Sequence, residues 1–114
     1  MFNSQTLAYE VLAGMLADAI VGVWVNTHPH DQLMLDVVQE ICTELEFGQG
    51  ELEDGACDVW EQIKERHSVT DDPKGPHGLL LPLCDIDPQP LLVKAEKSLD
   101  QEWMVTIQNI IARS

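Results

Sequence analysis

No lysine or arginine occurs in the first 63 residues of this chain, a stretch that carries twelve Asp or Glu side chains. The first cation is Lys64. All six basic residues follow from there, among eight further acids, so the formal net charge of −14 divides into −12 before Lys64 and −2 from it onward. A field of that sign repels nucleic acid, anionic membrane and phosphorylated substrates, and it attracts basic proteins. Direct binding of nucleic acid or of a membrane surface is therefore not expected.

Other absences narrow the chemistry. The three cysteines, Cys42, Cys57 and Cys84, are odd in number and form no C-x-x-C pair, which removes the usual zinc and redox signatures. Cys42 and Cys57 are predicted on the apolar side of helices as small buried hydrophobes, and a reduced, cytoplasmic setting follows. Phosphate-cradling and dinucleotide-binding glycine patterns are missing, as are internal repeats and low-complexity tracts. Nothing marks a Ser/His/Asp or Cys/His catalytic set. The longest apolar stretch, Leu7 to Val25, is interrupted by Glu10 and Asp18 and has no flanking Lys or Arg. A signal peptide needs a positive leading segment and a spanning helix tolerates central acids poorly, so this stretch reads as a core element of a soluble protein.

What is present suits a single domain over residues 1–114, with 45% hydrophobic residues to build a core. The expected class is all-α, a small bundle of about four helices with a long proline-rich loop before the C-terminal helix. Thr6 to Val25 is apolar nearly all round, as in a buried central helix, although Ile20 to Val25 also has the composition of a strand. Its small residues suit close approach by a neighbouring helix, either a second copy of the chain in a homodimer or the C-terminal helix. Pro29 breaks the pattern, and Asp31 is placed to cap a second helix over Leu33 to Phe47. Met34, Val37, Val38, Ile41 and Leu45 form its apolar stripe, and Gly48-Gln49-Gly50 ends it.

A third helix is predicted from Glu51 to His67, with Leu52, Ala56, Val59, Trp60 and Ile63 inward and Gly55 weakening its first turn. Residues 68–90 hold five of the six prolines and form a long connection in which Leu79 to Leu83 suits a short extended segment over the core. Pro90 then suits the first turn of a helix whose stripe runs through Leu92, Ala95, Leu99, Trp103, Ile107 and Ile110. Alternatively, Ser98 with Gln101 reads as a capping box that starts a shorter helix. Trp24, Trp60 and Trp103 each read as core packing, as do Met15, Met34 and Met104.

The acids acquire an arrangement once they are placed on these helices. Asp36, Glu40 and Glu44 recur at i, i+4, i+8 on the second, and Asp54, Asp58, Glu61 and Glu65 line the third, away from both stripes. Neighbouring like charges at that spacing oppose helix formation by roughly 0.2–0.5 kcal/mol per pair. Solubility alone needs net charge but not such segregation. The two rows therefore predict a docking face for a basic partner, most simply a protein that itself binds DNA or RNA. Inhibitors of this charge layout include phage and plasmid anti-CRISPR or anti-restriction proteins, and the immunity proteins of nuclease toxins. No motif places the chain in any such family.

Two other classes fit less of the pattern. An acidic chaperone or assembly subunit for a secreted effector or larger complex would use the apolar face of the first segment, or the 68–90 loop. A metal-dependent helical nucleotide pyrophosphatase would hold magnesium between paired acids. Glu51-x-x-Asp54 matches half of that pattern, but Glu40 and Glu44 are spaced wrongly for the other half. The closest approach to a transition-metal set is His28, His30 and Asp31, with His67, His77 or a cysteine to complete it, at no recognised spacing. No cofactor is expected, and the chain reads as a binding protein rather than an enzyme.

Overall fold

A computed structural model describes residues 4–29, 31–50, 54–71, 79–80 and 86–114; of the side chains at 4–8, 70–71 and 79–80 nothing is said. Among these residues the fold is helical. Helix α1 spans Ser4–Thr27, α2 Leu35–Glu44, α3 Gly55–His67, α4 Pro88–Ser98 and α5 Gln101–Ala112. The extended elements are two residues each, β1 (Thr70–Asp71) and β2 (Leu79–Leu80), paired antiparallel with Thr70 opposite Leu80. They fall within the predicted 68–90 connection. The proposed cover over the core by Leu79 to Leu83 lies outside the described side chains.

The organising element is α1. Leu16, Ala17, Ala19, Ile20 and Val21 are fully buried and Val23, Trp24 and Val25 nearly so, because α3, α4 and α5 all pack against this helix. A helix apolar on every side has no face to offer water, and surrounding it with amphipathic helices solves that problem. Residues 20–25 are helical, so tertiary packing prevails over their strand-like composition. Tyr9–Thr27 is long and apolar enough to cross a membrane, and two thirds of that stretch is buried inside the protein. At Gly22 a side chain would come within 3.0 Å of Leu91 Cβ, so glycine allows α4 to lie close against α1.

Helix α2 is shorter than its periodicity predicted. Met34 takes the N-cap position in an extended conformation and is exposed, rather than packing in the apolar stripe. Asp31 does not cap α2. Its carbonyl instead accepts a 3.0 Å bond from the Trp24 indole. The helix also stops before the glycines. Glu46 N–H bonds to Thr43 O and Phe47 N–H to Cys42 O, with Glu46 left-handed at φ 54°. That is the paired-bond ending normally built on glycine.

The following turn doubles back tightly. Gly48 has φ +66°, Gly55 N–H bonds to its carbonyl at 3.1 Å, and a Cβ on Gly55 would sit 2.1 Å from Phe47 O. Gly55 is therefore a close-approach residue at the start of α3, not only a weak helix former. The predicted start at Glu51 is replaced by an Asp54 N-cap, whose carboxylate accepts from Cys57 N–H at 3.1 Å. Cys57 lies on that capped first turn and is exposed, contrary to its predicted burial, whereas Cys42 is buried with its thiol pushed up to about 12 by desolvation, then by the Asp54 charge.

The C-terminal region forms two helices, not one. Asp87 caps α4 through Gln89 N–H and Pro88 occupies its first turn, two residues ahead of the predicted start. Leu99 is extended (φ −107°, ψ 153°) and buried, so the chain bends at a core residue before α5 begins. Asp100, not Ser98, stands at the N-cap of α5 and makes no side-chain cap bond. Trp24 and Trp60 are buried; Trp103 is half-buried and meets the Phe47 ring edge-on at 6.5 Å.

Candidate protein-docking surface

The predicted partner-binding acids divide according to what the fold places beside them. Asp36 and Glu44 are exposed at the two ends of α2, and Glu65 is exposed near the end of α3. Asp36, in the first turn, also favours the positive end of its own helix. Glu40 is exposed but bonded to the Arg113 guanidinium, which raises the arginine's pKa further. Glu61 pairs with Lys64 at 2.7 Å. Asp58 is half-buried and accepts a hydrogen bond from the Tyr9 hydroxyl. Asp54 is occupied as the cap of α3, and the Cys57 amide holds its carboxyl below the usual range.

These contacts also orient the rows. Helix α3 lies between α1 and α2, and its Asp58 leans toward Tyr9 on α1. Helix α2 lies between α3 and α5, and its Glu40 leans toward Arg113 at the end of α5. Within the rows, Asp58 therefore faces α1 and Glu40 faces α5, while Asp54 stays close to Cys42 of α2.

Sequence reasoning missed the second electrostatic feature, which centres on Asp18. This residue is 4% exposed in the middle of α1. Arg66 of α3 binds it through Nε–Oδ1 at 3.0 Å and Nη2–Oδ2 at 2.7 Å, and Lys94 Nζ of α4 lies 3.6 Å from Oδ2. His67 Nε2 is 3.2 Å from Oδ1 but is not aligned to form a hydrogen bond, so its contribution is electrostatic. Burial alone would raise the Asp18 pKa; His67 and Arg66 more than reverse this and hold the carboxyl well below its ordinary range. Gly14, one turn before Asp18, makes room for the guanidinium, since a Cβ there would lie 3.1 Å from Arg66 Nη1. The available signal was a lone acid within an apolar helix, because buried carboxylates need cationic partners.

The histidine cluster serves packing. His28 Nε2–H donates to Ile111 O at 2.9 Å, satisfying a carbonyl in the last turn of α5, while Nδ1 lies 3.5 Å from the Asp31 carboxylate. Its ring also leans on Trp24 with centroids 4.5 Å apart. His30 and His77 lie outside the described residues, and His67 is committed to Asp18.

Taken together, four of the five described cations pair with acids, at Asp18 inside the fold and at Glu61 and Glu40 on its surface. Arg66 and Lys94 go to Asp18, Lys64 to Glu61 and Arg113 to Glu40, so late-arriving positive charge folds back largely onto early acids. Exposed carboxylates at Glu10, Asp36, Glu46, Glu65, Glu96 and Glu102 have no cationic partner among the described residues, and Glu44 forms no ion pair but lies near enough to Arg113 to raise its pKa. The arrangement presents a surface of unneutralised negative charge on a rigid helical body. No protein-family model, curated protein or solved structure matches this chain.

Proposed function

We propose that this protein is an acidic binding protein that docks on the basic, nucleic-acid-binding surface of a partner protein and inhibits it by occupying that surface. The observation that supports this reading most directly is that the cations pair with Asp18, Glu61 and Glu40, which leaves Glu10, Asp36, Glu46, Glu65, Glu96 and Glu102 exposed without an ion pair among the described residues. Charge complementarity of this kind speeds encounter and selects partners. Cytoplasmic location belongs to the same proposal. So does the comparison with anti-CRISPR, anti-restriction and immunity proteins, which rests on charge layout.

The competing readings lose residues they needed. A chaperone working through the apolar face of α1 would need a face that α3, α4 and α5 already cover; its other route, the 68–90 loop, lies mostly outside the described residues. A homodimer through the small residues of α1 meets the same obstacle at Gly22, which α4 occupies. A pyrophosphatase would take Asp54 as a magnesium ligand, and that carboxylate caps α3.

The test uses Asp36, Glu44 and Glu65, whose side chains support no described contact, in preference to Glu40 and Asp58, whose replacement also breaks the Arg113 and Tyr9 bonds. The immobilised protein captures partners from its native host, and the captured protein is re-bound to the D36K/E44K/E65K variant. Binding is expected to weaken strongly in the variant and between about 50 and 200 mM salt, because exposed charges are screened within roughly 8–10 Å. Capture of a partner whose binding ignores both changes would sink the proposal.

A further inference from the structure

Glu44 of α2 borders the outer side of α5. Helix α5 has an outward face in which Gln101, Glu102, Val105, Gln108, Asn109 and Ala112 are exposed, and Val105 stands at its middle, 45% exposed. Two depressions meet at that residue, and a third lies farther along the helix toward α2. One of about 320 Å³ lies between α4 and α5 against Glu96, Gln101, Met104, Val105 and Gln108. A second, of about 480 Å³, shares Gln101 and Val105 with the first and adds Glu102 and Thr106. The third, about 210 Å³, shares Thr106 with the second and reaches Glu44 and Arg113.

The depressions lie along the α5 face between α4 and α2, with Met104 and Val105 as the apolar lining beside Glu96 and Glu102, and Glu44 at the α2 end. Arg113 is the cation on their lining, and it is held by Glu40. The cations of α4, Lys94 and Lys97, do not line them. Exposed Val93, one turn before Glu96, extends the apolar character along α4. A desolvated apolar centre with a charged rim is the usual anatomy of a protein-binding patch.

We infer that this grooved face, centred on Val105, is where the partner seats an amphipathic basic segment. One apolar side chain of that segment enters against Val105 and Met104 while its Lys or Arg residues face Glu44, Glu96 and Glu102. The inference rests on the acidic docking reading above and adds to it a location and a demand for an apolar residue among the cations. Charge complementarity selects the occupant: a second copy of this chain would bring like charge to the same rim, and an uncharged apolar peptide would leave the carboxylates unpaired.

The experiment uses two labelled synthetic helical peptides, one with leucines along one face and lysines elsewhere, the other with each leucine replaced by alanine. Both are titrated into the full chain by fluorescence anisotropy at low salt. The leucine peptide is expected to bind about tenfold more tightly than the alanine control, the scale of burying an apolar side chain. Val105→Glu should erase that preference, whereas Val11→Glu, at an equally exposed valine on α1, should leave it in place. Val105 is exposed, and circular dichroism checks that each variant keeps its helices. Equal binding of both peptides, or a leucine preference that survives Val105→Glu, overturns the groove while leaving the acidic docking reading intact. Failure of both peptides to bind overturns both readings.

Discussion

Arg66 and Asp18 meet in a two-bond grip between α3 and α1, and the two partners differ sharply in their access to water. The Asp18 side chain is 6% exposed and that of Arg66 is 37% exposed. The pair is therefore asymmetric. Losing the carboxylate leaves a guanidinium able to turn to solvent, whereas losing the guanidinium leaves a buried anion with only Lys94 and His67 beside it.

That asymmetry sets an order of effects. Arg66→Met is expected to destabilise the fold by about 3–5 kcal/mol, the cost of stranding a buried charge. Asp18→Asn, which keeps the shape and frees a cation that reaches water, should cost clearly less. Urea denaturation of the two variants measures the difference, and equal losses would show that Arg66 matters through packing alone.

The pH dependence follows from the same site. The Asp18 pKa is depressed in the folded state, so its contribution to stability is present above the unfolded value of about 3.9 and is lost as pH falls through the folded value. In Arg66→Met burial is less opposed, the folded pKa rises, and stability should increase as pH falls from about 6 toward 4. Urea midpoints collected across that range give the slope for each protein. A variant slope no different from wild type would count against the stranded-anion account.

Two helix ends are built on residues poorly suited to them. Glu46 and Ser68 both sit at φ 54°, Ser68 closing α3 with Val69 N–H bonded to Lys64 O. Left-handed backbone costs an L-residue roughly 1–2 kcal/mol, which glycine escapes, partly offset by glycine's greater chain entropy. Ser68→Gly and Glu46→Gly are each expected to stabilise by about 1 kcal/mol, read as a higher thermal midpoint. Glu46→Gly has the added benefit of removing an acid from the negative end of α2.

Gly55→Ala should act against intrinsic propensity. In an open helix position the change gains roughly 1 kcal/mol. Here the new methyl meets Phe47 O at 2.1 Å and Phe47 Cδ2 at 2.8 Å, so the turn must open. A net loss of about 1–3 kcal/mol is expected in denaturant titration, the range for overpacked sites. A neutral or stabilising result would mean that the Gly48–Gly55 contact yields freely.

Periodicity made most of the helical scheme legible. The stripes of α2 and α3 needed only the spacing of apolar residues along one helix, and Ile41, Val59 and Ile63 are fully buried as that spacing required. Boundaries were less legible. The start of α2 after Met34 and the bend at Leu99 depend on where neighbouring helices leave room, and no local signal reports that. Asp31, plausible as a cap by residue type, is used elsewhere, whereas the cap of α4 is Asp87, ahead of the predicted start at Pro90.

The candidate surface shows the same division. Composition and order along the chain determined that this protein is acidic, that its cations come late, and that α2 and α3 each carry a row of carboxylates, because charge and helical phase are local properties. Only the tertiary structure decided which acids remain unpaired. Ion pairing depends on distances in space, and Arg113 reaches Glu40, as Arg66 reaches Asp18, across separations in sequence that no helical pattern records. It also set Glu40 and Glu44 beside α5 and Asp58 beside Tyr9 of α1, since helix packing, not helix phase, fixes which faces become neighbours.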